Sequence, residues 1–104
     1  MEDHPGVIFR DGATGRRAVL IGGPDVREVI RSVKSARAAE PDLGAEAILD
    51  LLEINTGVPR RLVETAIRYW SAFPDEIDSW IEDVETVEAE SLATWERRQS
   101  LLAK

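Results

Sequence analysis

Apolar residues recur along the 104-residue chain with two different spacings. Near the N-terminus they come as short runs, Val7 to Phe9 and Ala18 to Ile21, set apart by glycines and polar residues in GVIFRDGATGRRAVLIGGPD. That pattern predicts a β-hairpin. Gly22, Gly23 and Pro24 end the second run, and Pro24-Asp25 suits the opening of a helix. From there the spacing changes to threes and fours. Val26, Val29, Ile30 and Val33 predict an amphipathic helix over 25 to about 38, ended by AAEPDLG. Leu43, Ala47, Ile48, Leu51 and Leu52 mark a second buried stripe, and Leu62, Val63, Ala66, Ile67 and Trp70 a third. Only INTGVP separates these two, which forces a tight reversal. Gly57 is free to take the left-handed backbone there, and Pro59 suits the first turn of the next helix. FPDEID then opens a last helix, because a proline followed by acids in the first turn favours the helix dipole. Its apolar positions are Ile77, Trp80, Ile81, Val84, Val87, Leu92, Trp95 and Leu102. One long helix, with a break at Glu90-Ser91 left open, is the economical reading.

Composition narrows this to one small domain. The hydrophobic share is 43% with six aromatic residues, and there is no cysteine, so disulfides are excluded. MEDHPGVIFRDG lacks the basic head and apolar run of a signal peptide, and no stretch approaches the roughly 18 apolar residues of a membrane span. A cytoplasmic protein with no membrane association is expected.

The net charge of −7 ordinarily disfavours a nucleic-acid partner, but it is unevenly placed. Residues 1–73 hold ten Arg or Lys against eleven Asp or Glu, and residues 74–104 hold three against nine. A nearly neutral body, 1–73, is therefore expected to precede an acidic, amphipathic helical segment, 74–104. Val87, Leu92 and Trp95 on that segment have no sequence-adjacent cover and call for another chain, with Ile81 and Val84 on the same stripe.

Chemistry for catalysis is sparse. His4 is the only histidine and lies at the terminus, and there is no phosphate-binding glycine loop and no His/Cys metal spacing. Asp75, Glu76, Asp78, Glu82 and Asp83 read as a solvated helix face rather than a cation site. No enzyme activity, catalytic residue, cofactor or metal is expected.

The reversal at Gly57 carries more. Helix-turn-helix units place a small residue at the turn, an apolar residue after it, and apolar positions that lock both helices. Leu52, Gly57, Val58 and Val63 meet these demands over about 45–72. Glu53 does not, since a small residue usually stands four before the turn glycine. A plain helical hairpin is the rival reading. Outside the apolar stripe the second helix of the unit carries Arg60, Arg61, Thr65, Arg68 and Tyr69, residue types that reach base edges and phosphates from the major groove. Arg27, Arg31 and Lys34 form a basic stripe on the first helix, where like charges repel at a cost that a phosphate backbone would relieve, a merely solvated face being the rival reading. Such units usually bind palindromic sites as homodimers, with the open edges of the hairpin as the expected dimer element and Arg10, Arg16 and Arg17 near phosphate. The fold class expected is mainly α: a short N-terminal β-hairpin, a helical body containing a helix-turn-helix, then a long acidic C-terminal helix.

GRRAVLIGGPDV, with its glycine-bounded hairpin leading into a helix, and AEAILDLLEINTGVPRRLVETAIRYW followed by FPDEID together resemble the small antitoxins of the domain-of-unknown-function 433 type, over roughly residues 7–78. The chain departs from that pattern at Ala18, where the family has proline, and at Gly23-Pro24, where it commonly has Thr-Arg. The resemblance implies a VapB-like antitoxin of a type II toxin-antitoxin system. Its body would bind operator DNA and repress its own operon, and its C-terminal segment would neutralise a PIN-like ribonuclease toxin, the alternatives for residues 77–95 being to fold back on the body or to pair with a second copy. A module that binds a partner protein and no DNA remains the alternative.

Overall fold

The computed structural model describes residues 5–12 and 15–103. Strands β1 (Val7–Gly12) and β2 (Gly15–Leu20) pair antiparallel, with Val7 opposite Leu20 and Phe9 opposite Ala18. Side chains alternate across a strand, so this register turns Val7, Phe9, Ala18 and Leu20 to the helices and leaves Ile8 and Arg10 outside. Gly22 takes the positive φ of 73° that reverses the chain after β2, and the Leu20 amide donates to the Pro24 carbonyl at 3.0 Å. Four helices follow: α1 (Val26–Ala39), α2 (Ala45–Thr56), α3 (Arg60–Ala72) and α4 (Pro74–Leu102). The chain is thus mainly helical with an N-terminal hairpin and a long last helix. No described helix is long and apolar enough to cross a membrane.

The predicted turn forms as its residues dictate. Gly57 ends α2 in the left-handed conformation, φ 74°, and its amide donates to the Glu53 carbonyl at 3.0 Å. Pro59 is the N-cap residue of α3 rather than a residue of its first turn. Its carbonyl accepts from the amides of Leu62 and Val63, while Arg60 takes the first helical position. α4 runs without interruption through Glu90 and Ser91.

One core joins the hairpin to all four helices, with Leu20, Val26 and Val63 almost wholly enclosed. Two members were not on the predicted stripes. Leu49 is buried because α2 packs against both α1 and α3, which widens its apolar face. Tyr69 is buried because the hairpin lies across α3: its ring meets Phe9 edge-on at 6.1 Å and tilts against Phe73 at 5.0 Å.

The core extends into α4 only as far as Ile81. Ile77 and Ile81 are buried and Trp80 is half-buried, whereas beyond Val84 every described residue except Ala93 is exposed. The helix has 29 residues, ~43 Å at the usual rise, so its distal half leaves the body as an arm. The radius of gyration is accordingly 16.6 Å. A compact domain of this size would give about 13 Å.

Candidate nucleic-acid and partner surfaces

The eight side chains expected to meet DNA fall into three groups. Tyr69 leaves the set altogether. It is 2% exposed, and its hydroxyl donates to the Glu76 carboxylate at 2.8 Å, tying α3 to the first turn of α4. A ring that fills the seam between hairpin and helix has no face to offer a base.

The α1 stripe turns towards α4 instead of outwards. Arg27 stacks on the Trp80 ring, 4.3 Å from its centre. Arg31 donates to Glu88 and lies 3.7 Å from Glu85. The bond to Glu88 raises the Arg31 guanidinium above its usual pKa; desolvation opposes this, and the fields of Glu88, Glu85 and Glu28 add to the rise. Lys34 pairs with Asp78 at 3.2 Å and sits 5.4 Å from the centre of the Trp70 ring, whose indole N–H also donates to Asp78. The repulsion among Arg27, Arg31 and Lys34 is relieved within the chain, by carboxylates of α4 at Arg31 and Lys34 and by Asp25, 3.9 Å away, at Arg27. The spacing pointed to phosphate, and carboxylates of the same chain stand in that place.

Arg60 is likewise engaged. Its guanidinium donates to Glu46 and, at 3.2 Å, to Asp50, both on α2. Its pKa is raised chiefly by the bond to Glu46. Glu53, the residue that fitted a helix-turn-helix least well, has a distinct role: its carboxylate accepts from the Arg60 amide at 3.3 Å, so an anion stands at the N-terminus of α3. A carboxylate there uses the exposed amides and dipole that a phosphate would otherwise meet. It is exposed to solvent and avoids the helix contact that a large side chain was expected to disturb.

Arg61, Thr65 and Arg68 remain on the outer face of α3, spaced four and three apart. Among the described residues Arg61 and Arg68 have no carboxylate partner and are exposed. The Thr65 hydroxyl donates back to the Arg61 carbonyl at 2.9 Å. Gly6 approaches Thr65 so closely that an added Cβ would stand 3.0 Å from its methyl, which places the start of β1 along this stripe. The hairpin cations differ among themselves: Arg17 pairs with Asp25 at 2.8 Å, Arg16 stacks 4.1 Å from the centre of Phe9, and Arg10 is exposed.

The expected partner-binding stripe on α4 divides in two. Ile81, 5% exposed, belongs to the body core and is removed from that surface. Val84 is half-buried at the edge. Val87, Leu92, Trp95, Leu101 and Leu102 are between 57% and 83% exposed. Leu101 was not on the predicted stripe. No group of His, Cys, Asp or Glu placed to hold a metal occurs among the described residues. Compared with known proteins, the chain matches no family model, no curated protein and no solved structure.

Proposed function

We propose that the protein is an antitoxin-like regulator whose α4 arm captures and neutralises a basic partner protein, a ribonuclease toxin of the PIN-like kind, while α3 contacts operator DNA. The observation that carries the reading is the arm itself. Val87, Leu92 and Trp95 stand exposed on a helix that also bears Asp83, Glu85, Glu88 and Glu90. An apolar stripe among carboxylates fits a groove in a protein whose surface is cationic, as that of an RNA-cleaving enzyme is. The toxin identity rests on the resemblance of residues 7–78 to the antitoxin family. DNA contact, in this reading, is made by Arg61, Thr65 and Arg68 with Arg10 alongside, and not by the α1 stripe.

The test of capture uses full-length chain, because cutting after Phe73 would also remove Ile77 and Ile81 from the core. Val87→Glu with Trp95→Glu should abolish neutralisation of the toxin encoded beside this chain while leaving the helical circular dichroism unchanged. Full neutralisation by that double variant would refute the arm's role.

A second reading, a partner-binding module without DNA contact, is favoured by Glu46, Asp50 and Glu53 around the N-terminus of α3. Gel-shift titration against the upstream region separates the two. DNA binding requires a salt-sensitive shift that Arg61→Ala with Arg68→Ala removes.

A further inference from the structure

We infer that the distal half of α4 is a dimerisation element that pairs antiparallel with the same segment of a second copy. Ile77, Ile81, Val84, Glu88, Ser91, Trp95, Arg98 and Leu102 follow one another in alternating steps of four and three, the spacing of about 3.5 residues that makes a helix-pairing seam, here with one acid and one base in it. The first three are covered wholly or partly by the body. Glu88 on the same face still meets Arg31, and beyond it no described residue covers the face, which Val87 and Leu92 flank on either side. Ser91 at the middle of the seam is small enough for two helices to approach, which brings the large Trp95 rings into the contact.

Charge selects the occupant and its direction. The proximal part of the arm carries Asp83, Glu85, Glu88 and Glu90, and the distal part carries Arg97 and Arg98. Glu85 and Glu88 are partly engaged by Arg31, but Asp83, Glu90 and Arg98 have no ion-pair partner among the described residues. Arg97 has only a 3.3 Å hydrogen bond to Thr94. Both halves of a complementary surface are therefore present on one helix, with Glu90 and Arg98 unpaired among the described residues. Antiparallel overlap of residues 87–102 puts the arginines of each copy within about a turn of the other's Glu88 and Glu90. Parallel overlap would set acids beside acids and arginines beside arginines. This arrangement moves the dimer contact from the hairpin, where the open strand edges suggested it, to the arm. It does not depend on the antitoxin reading, and a basic partner using the same face must displace the second copy.

Sedimentation equilibrium of the full chain should give a reversible monomer–dimer equilibrium. Trp95→Glu should weaken it by about tenfold or more, the size expected for losing a central interface tryptophan. Because the chain has no cysteine, single cysteines report direction. Val87→Cys mixed with Leu102→Cys should cross-link across a short thiol-reactive linker faster than Val87→Cys with itself. A chain that is monomeric at every concentration overturns the inference. So does preferential Val87→Cys self-coupling, or a dimer that survives Trp95→Glu and dissociates on Ile8→Lys at the outer face of the hairpin. Failure of the unaltered chain to neutralise the toxin, with the dimer intact, would count against the proposed function alone.

Discussion

Replacing Ile81 by alanine tests the division of α4 into a built-in half and a free half. The side chain is 5% exposed, and the change deletes three carbons. At roughly 0.8 kcal/mol for each buried carbon the transfer loss is about 2.4 kcal/mol. A residual cavity adds to this, but the site lies near the rim of the body, where neighbours and water relax into the space. The expected total is about 2–3 kcal/mol, towards the lower end for isoleucine-to-alanine changes in cores. For a domain of this size that lowers the melting temperature by roughly 10–20 °C. Val87→Ala, on the same helix at 61% exposure, should change stability by no more than about 0.5 kcal/mol. Urea denaturation followed by tryptophan fluorescence, at one low protein concentration for all three chains, provides the comparison. Equal small effects for the two variants would mean that α4 is not anchored through Ile81. The attribution of Arg31 and Lys34 to intramolecular pairing would then fall with it.

Tyr69→Phe should cost about 1 kcal/mol, the net worth of a hydrogen bond to a partly solvated carboxylate, and leave any DNA shift unchanged; an intact melting curve with lost DNA binding would return Tyr69 to the interface. Gly57→Ala forces a side chain into a backbone with φ 74° and should destabilise by about 1 kcal/mol although nothing lies near the added carbon, as thermal melts would show. Glu46→Gln with Asp50→Gln releases Arg60 from α2. If α3 meets DNA, the double variant should bind more tightly with a steeper salt dependence, read by fluorescence anisotropy at several ionic strengths, and unchanged binding would place Arg60 outside the interface.

Much of the architecture was legible from local chemistry. The hairpin, the turn at Gly57 and the helix opened by Pro74 each follow from backbone preferences and spacing within a few residues. The long α4 was legible for the same reason, since three- and fourfold steps persist along it. The site was legible only as a list of available charges. Periodicity placed Arg27, Arg31 and Lys34 on one face of α1 but carried no information about what that face would meet, and α4 supplied the anions for Arg31 and Lys34 from more than forty residues away. Tyr69 occupied a polar-looking position on α3, and only the hairpin folding over that helix turned it into core. Ile81 and Trp95 were equivalent by spacing, and the point where the body ends separated them. Sequence by itself determined which segments form helices or strands and how charge is distributed among them, because those properties are set between near neighbours. Tertiary structure decided which charges are already neutralised and which apolar residues remain uncovered, because burial and ion pairing depend on surfaces brought together from distant parts of the chain.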